Sequence, residues 1–460
     1  MKAFTRTSAA LFSVAVLTTA LPAAPVDSAE LQALREQVQV LAQQLKVISR
    51  QLEIKEEAAL VAAPTTPKIT LSDKGFTLAS ADAANSLKIR GLAQLDSRLF
   101  FNDGGGVVNN AFVLRRARLI TEGLFAKIYS FQFVTEFGGS AVSILDANLG
   151  IAVNKALTFK IGKFKSPVGL ELLQSDSWTF FNERSIVTNL VPNRDLGVQA
   201  SGDVLNGTLN YTVGVFGGVA DGASTTNTDF DNEKDFVVRL FASPFKDDAG
   251  SAVRGLSFGV AASAGREKTA AGRTAGYRTD GQQIFFAYSA TTIADGQTWR
   301  LSPQVDFRSG SFGAIGEYVV STLNVRPSAT GRETELKNEA WQVAAGYVLT
   351  GEDSSFAGVV PRANFDFPAS TWGAFEVTAR YAHLNVDDAA FPLYASAASN
   401  ANEASSVGAG VNWYLSKAVA FKFDYYQTSF GFNSAAPAIA ATQMLRQDEQ
   451  VFISRFQLSF

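Results

Sequence analysis

From about Leu71 to Phe460 the sequence keeps a period of two rather than a helical period, and this constrains the chain more than any other feature. Arg300, Ser302, Gln304, Asp306 and Arg308 interleave with Trp299, Leu301, Val305 and Phe307. Phe131 and Phe133 alternate with Gln132 and Val134, and Phe421, Phe423 and Tyr425 with Lys422, Asp424 and Tyr426. Successive side chains of a strand point to opposite faces, so each run carries an apolar and a polar face. A soluble sandwich produces the same alternation but packs its apolar face against a second sheet. A closed transmembrane barrel turns that face to lipid and the polar one to a wet lumen.

Composition favours the barrel. The chain has 460 residues, 37 Gly, 36 Phe and no Cys, and is 47% hydrophobic but only 18% charged. The absence of Cys excludes disulfides and thiolate metal sites. With 40 Lys+Arg against 43 Asp+Glu, the net charge of −3 lacks the basic footprint of a nucleic-acid binder. A single histidine, His383, excludes His-cluster metal chemistry, and neither a metal nor another cofactor is expected. No G-x-S-x-G motif occurs, and alternation sets His383 opposite Arg380, toward lipid or the rim; no catalytic residues are expected. Gly104–Gly106 and Gly138–Gly139 read as turns rather than phosphate-cradling loops.

The first residues read as an export signal over 1–28: Lys2 and Arg6 precede the apolar stretch Ala9–Leu21, with cleavage expected between Ala23 and Ala29. Over 29–57, Leu31, Leu34, Val38, Leu41, Leu45, Ile48 and Leu52 recur at spacings of three and four, a narrow seam suited to a coiled coil. A helix packed on the barrel is the alternative. An Ala/Pro/Thr-rich linker is expected over 58–70, and the barrel over 71–460. At roughly 24 residues per strand and connection, that length holds about 16 strands. The stretches Asp221–Asp235, Lys268–Asp280, Arg326–Glu339, Ala389–Glu403 and Ser434–Gln447 read as long extracellular loops, and Asp203–Gly207 as a tight periplasmic turn.

The chain ends Val451-Phe-Ile-Ser-Arg-Phe-Gln-Leu-Ser-Phe460, with Phe452, Phe456, Leu458 and Phe460 on one face and Arg455, Gln457 and Ser459 on the other. Pairing of this strand with the first would leave no edge in lipid. Its final Phe460 resembles the signal read by the barrel assembly machinery of the outer membrane.

The pieces Leu114-Arg-Arg-Ala-Arg-Leu119, Glu122-Gly123, Gly162-Lys-Phe-Lys-Ser-Pro-Val-Gly-Leu-Glu171, Glu183-Arg-Ser185 and Asn193-Arg-Asp-Leu-Gly197 run in order along the chain. So do Tyr347-Val-Leu-Thr-Gly-Glu352, Ala379-Arg-Tyr381 and Gly410-Val-Asn-Trp-Tyr-Leu415. Together, from about Ile89 to Phe460, they resemble the phosphate-selective porin O and P family. The resemblance implies a trimeric 16-stranded barrel in outer-membrane lipid, without cofactor, that passes small solutes passively and often prefers anions.

Alternation nominates Arg90, Arg98, Arg116, Arg118, Arg239, Arg300, Arg308, Arg380, Lys422 and Arg455 as lumen-facing, where arginine offers a fixed fork of donors to oxyanions. The same faces carry Asp96, Glu122, Glu136, Asp306, Glu317, Glu376 and Asp424, so a salt-bridged wall is the competing reading. The resemblance further implies an inward-folded constriction loop, matched here to Gly169–Asn182, where phosphate-selective members place lysine. That segment holds Glu171, Asp176 and Trp178 but no Lys or Arg, and its nearest cations are Lys163, Lys165, Arg184 and Arg194. A porin with modest anion preference is therefore expected over a phosphate-selective one. A structural envelope protein, tethered to the cell wall through the coiled coil, is the alternative of a different class.

Overall fold

The computed structural model describes residues 28–62, 66–101, 109–228, 231–269, 274, 276–328, 331–433 and 447–460. The expected export signal, Gly104–Gly106 and all but Gln447 of the expected loop Ser434–Gln447 lie outside the described residues.

The chain divides into two units, Met1–Thr66 and Pro67–Phe460. In the first, helix α1 runs over Ser28–Ala62. It continues past the expected coiled-coil boundary because Ala58, Ala59, Leu60 and Ala62 favour helix and Pro64 is the first residue to oppose it. Val38, Leu41, Leu45, Ile48 and Leu52 of the seam are all more than half exposed on it. None of the described helices is long and apolar enough to cross a membrane, which says nothing about spanning by strands.

The second unit begins with β1 (Lys68–Ser72) and β2 (Gly75–Ala79), so residues 68–70 of the expected linker are already strand. The rest follows as β3 (Ser86–Phe100), β4 (Ala111–Phe125), β5 (Tyr129–Glu136), β6 (Ser143–Asn154), β7 (Leu157–Lys165), β8 (Arg194–Val204), β9 (Leu209–Phe216), β10 (Asp235–Ala242) and β11 (Leu256–Lys268). After a small hairpin, β12 (Gly276–Arg278) with β13 (Ile284–Ala287), come β14 (Ile293–Ser309), β15 (Phe312–Arg326), β16 (Thr334–Val348), β17 (Ala374–Asn385), β18 (Glu403–Tyr414), β19 (Val419–Gly431) and β20 (Glu449–Ser459). Among the described residues, β3–β11 and β14–β20 form a closed 16-stranded antiparallel barrel in which each strand pairs with its neighbours in sequence.

The barrel closes where β20 pairs with β3, placing Arg455 directly across from Asp96. The amide and carbonyl of Gly91 both bond the backbone of Phe460, at 2.9 and 3.1 Å. A Cβ at Gly91 would stand 2.6 Å from the Phe460 ring, which would have to shift to admit it. Below this point β2 takes the place beside β3 that the ended β20 leaves, with Phe76 to Ala79 opposite Ile89 to Ser86. Backbone groups of β3 that would otherwise form a free sheet edge are thereby paired.

Outward positions are exposed and apolar. Phe421 packs against Phe456 in a tilted pair with centroids 5.0 Å apart, and Trp413 stacks on Phe375 at 5.6 Å. His383 is on this face, its Nδ1 2.9 Å from the Ser405 hydroxyl and its ring 6.5 Å from Trp341. The turn at Asp203–Gly207 joins β8 to β9, and Asn206 and Gly207 take the positive φ values (57° and 77°) that these residue types tolerate. The connection expected over Arg326–Glu339 is shorter, because Thr334 to Glu339 already pair with β15 in β16.

Long connections do not confine themselves to one end. Residues 349–373, between β16 and β17, lie at the end where the tight turns are, and they reach upward into the lumen. The Phe356 carbonyl accepts a 2.9 Å bond from Gln174, and Gly358 packs against the Trp178 ring. At the opposite end the β12–β13 hairpin and residues 386–402 fold inward. Tyr277, Phe285, Phe286, Phe391 and Tyr394 pack there on Val325, Leu336 and Leu384 of the wall. Inward positions at the tops of β15–β17 are thus apolar because loops cover them.

Candidate functional site: an arginine-lined cavity beside the inward loop

Residues 166–193, between β7 and β8, fold into the lumen and carry the short helix α2 (Leu170–Leu173). The loop is held by its backbone. Leu170 and Glu171 donate amides to Glu317 at 2.6 and 3.3 Å, and the Val168 carbonyl accepts from Gln304 at 2.6 Å. The Phe180 carbonyl accepts from Asn412 at 2.8 Å, the Thr179 carbonyl from Lys422 at 2.6 Å and the Ser177 carbonyl from Gln457 at 3.0 Å. Polar lumen-facing residues of β14, β15 and β18–β20 therefore serve the loop rather than water, which removes the cost of leaving them unpaired.

Two loop carboxylates organise the other side. Asp176 receives Arg116 at 3.1 Å and is also bonded by Arg118 and Arg184. Glu183 receives Arg115 on both oxygens at 2.6 and 2.9 Å, Arg98 at 2.9 Å and Arg455 at 3.1 Å. Burial pushes both carboxyls up, but the surrounding guanidiniums prevail: Arg116, Arg184 and Arg118 hold Asp176 well below the usual carboxylate range, and Arg115 and Arg116 do the same for Glu183.

Between this loop and the wall lies a cavity of about 380 Å³. Its charged lining consists of Arg115, Arg116, Arg118, Arg184, Arg194 and Arg278 against Glu136, Asp176 and Glu183, an excess of three positive charges. Thr188, Asn189 and Asn193 supply polar groups, while Leu145, Leu172 and Ile186 add apolar surface. Positive charge concentrated in a low-dielectric recess raises the local concentration of anions.

Of the cations nominated by sequence, Arg116, Arg118, Arg184 and Arg194 come together here. Arg194 also bonds Asp146 at 3.2 Å. Arg90 lies lower on β3 in a bidentate pair with Glu122 at 3.0 and 2.9 Å. Lys165 donates to the carbonyls of Leu172 and Gln174 at 2.7 and 2.9 Å, and Lys163 is buried in the wall without lining the cavity.

The remaining candidates lie elsewhere. Arg300 is enclosed by Asp221, Asp235 and Glu267 at 2.7, 3.3 and 3.4 Å. Arg380 bonds Asp280 and stacks 4.5 Å from the Phe181 centroid. Arg308 pairs with Asp306 at 2.8 Å beneath Phe180, and Arg239 pairs with Gln304 at 3.0 Å over Phe241. For these, with Lys422, Arg98 and Arg455, inward placement holds but open-lumen exposure does not, because inward-folded loops occupy the space they face. Of the constriction candidates only Asp176 lines the cavity. Glu171 is buried against Gln342 and the Ser185 amide at 3.0 and 2.9 Å, and Trp178 points down to Gly358.

Sequence reasoning missed Arg115, Glu183 and Arg278. Arg115 reaches the lumen through a bulge, since Gln94 pairs with Arg116 but the adjacent Leu95 pairs with Leu114. Both arginines of the Arg115–Arg116 dipeptide can then point inward. The dipeptide was itself the available signal: strict alternation would put one arginine in lipid, at about 2–4 kcal/mol near the midplane.

The sequence profile of the phosphate-selective porin O and P family matches residues 87–460. Comparison with curated proteins finds no match. Among solved structures, the outer-membrane channel DcaP of Acinetobacter baumannii is similar at a TM-score of 0.52, with 12% identity over 82% of this chain and 98% of that one. OmpF of Salmonella typhi, in complex with daunomycin, gives 0.50 with 10% identity over 85% and 100%. In-vitro folded OmpT of Vibrio cholerae, in its trimer form, gives 0.50 with 10% identity over 82% and 100%. At these identities the likeness establishes the fold alone.

Proposed function

The chain belongs to the phosphate-selective porin O and P family, and on that premise we propose that this outer-membrane porin passes small hydrophilic solutes with a modest preference for anions. The observation that carries the preference is the charge of the cavity beside the inward loop, three positive in excess. It is modest because each of Arg115, Arg116, Arg118, Arg184 and Arg194 is already engaged by a carboxylate. Planar-bilayer recording tests the reading: stepwise conductance with reversal potentials favouring chloride over potassium is expected. No conductance overturns the porin; strong cation selectivity overturns the role given to the arginines.

The family's description favours phosphate as a second reading. Against it stands the loop segment Gly169–Asn182, without Lys or Arg, whose Asp176 takes up three of the guanidiniums an oxyanion would need. Millimolar phosphate is expected to block chloride current weakly or not at all. The trimer form of the Vibrio OmpT supports a homotrimer here. In this reading the tight-turn end faces the periplasm, α1 self-associates there through its exposed seam, and Phe460 serves recognition by the assembly machinery. A cell-wall contact through α1 belongs to the same proposal.

A further inference from the structure

Asp176 is surrounded as a bound oxyanion would be. Its side chain is 4% exposed, one oxygen receives Arg116 and Arg184, and the other receives Arg118. Three guanidiniums on one carboxylate exceed what neutralisation requires. Each is also held independently of Asp176. Arg116 donates to Gln94 at 2.7 Å and Arg118 to Glu136 at 2.7 Å. Arg184 donates to the carbonyls of Glu171 and Gln174 at 3.0 and 2.7 Å. The Asp176 backbone is anchored too, its carbonyl accepting from Gln94 at 3.0 Å. The cradle is therefore built by its surroundings, with the carboxylate as its occupant. Beside it the buried Nε of Arg116 has no hydrogen-bond partner, a spare donor at the same guanidinium.

We propose that Asp176 is a built-in anion occupying an oxyanion site of its own pore, and that its side chain keeps small oxyanions such as inorganic phosphate from binding there. Guanidiniums donate to carboxylate and phosphate oxygens alike, so an aspartate side chain can hold the place of either. Removing it leaves three guanidiniums close together, with Arg118 still paired to Glu136, and raises the excess positive charge of the 380 Å³ cavity's lining from three to four, an arrangement that draws in an anion. The inference rests on the porin reading for its route of access but not for the site itself.

The test compares wild type, Asp176→Ala and Asp176→Asn in planar bilayers under chloride, with inorganic phosphate titrated in. In Asp176→Ala the half-blocking phosphate concentration is expected to fall at least about tenfold, and formate, which fits the vacated carboxylate position, is expected to compete with phosphate. In Asp176→Asn the place stays filled while its charge is lost, so reversal potentials shift toward anions with less gain in phosphate block. The proposal is overturned if Asp176→Ala conducts with wild-type phosphate sensitivity. A gain that formate does not compete, or a wild type as sensitive as the variant, also overturns it. Where Asp176→Ala forms no channels, an unchanged reversal potential in Asp176→Asn overturns it instead. Calorimetric titration of phosphate into the detergent-solubilised proteins reads the site without conduction, so a non-conducting wild type sinks the porin while leaving this question decided separately.

Discussion

The two halves of the barrel use the same residues in opposite ways. Along β14–β20 and β3, inward arginines such as Arg300, Arg380 and Arg455 are buried against loop carboxylates and carbonyls. Along β4 and β8, Arg115, Arg116, Arg118 and Arg194 are held by carboxylates as well, yet they also line a cavity. Strand alternation is alike in both. What differs is the loops: the filled half is occupied above by the β12–β13 hairpin and residues 386–402, in the middle by 166–193 and below by 349–373. An inward arginine is thus enclosed by loops or left lining a cavity according to what faces it, not according to its own strand.

The sharpest way to break this comparison is Arg300→Ala. It leaves Asp221, Asp235 and Glu267 buried together without their cation, and removing one partner of a buried ion pair costs about 3–5 kcal/mol. Unfolding of the barrel in urea should shift accordingly, while the reversal potential of surviving channels stays at the wild-type value. A selectivity change as large as the stability loss would mean that the filled half conducts.

The reciprocal experiment is the double variant Arg115→Ala, Arg116→Ala. It lowers the excess charge of the cavity lining from three to one. The chloride-to-potassium permeability ratio is expected to fall on the order of two- to threefold. An unchanged ratio would remove the cavity from the solute path. Deleting Leu31–Leu52 changes no residue of the barrel. The proposed trimer should migrate as a weaker band on unheated gels with selectivity unaltered; a trimer band of wild-type strength would refute a role for α1 in assembly.

The smallest effect is expected from pH. Asp176 and Glu183 have folded-state pKa values depressed by their arginines, so the stabilisation they give is present above the ordinary carboxylate range and lost as pH falls through the depressed values. Between pH 7 and about pH 4 neither group titrates, and their charge in the open half stays fixed. Selectivity following an ordinary carboxylate titration, at about pH 4–5, would show that these two are not held as described.

The sequence by itself determined the class of wall. Period-two alternation and a terminal strand with Arg455 on its polar face are properties of neighbouring residues along one chain, and a strand's geometry turns them directly into faces. Arg116 and Arg118 were legible for that reason. Only the tertiary structure decided where space remains. The bulge that brings in Arg115 depends on the register between β3 and β4, and the masking of Arg300, Arg380 and Arg455 depends on loops distant in sequence. The taking-up of three guanidiniums by Asp176 likewise joins residues from β4 to a loop some sixty positions later, as the contact of Arg118 with Asp176 illustrates with its separation of 58 residues. Alternation reports which side of a sheet a residue is on; what else occupies that side is set by packing, which no local pattern encodes.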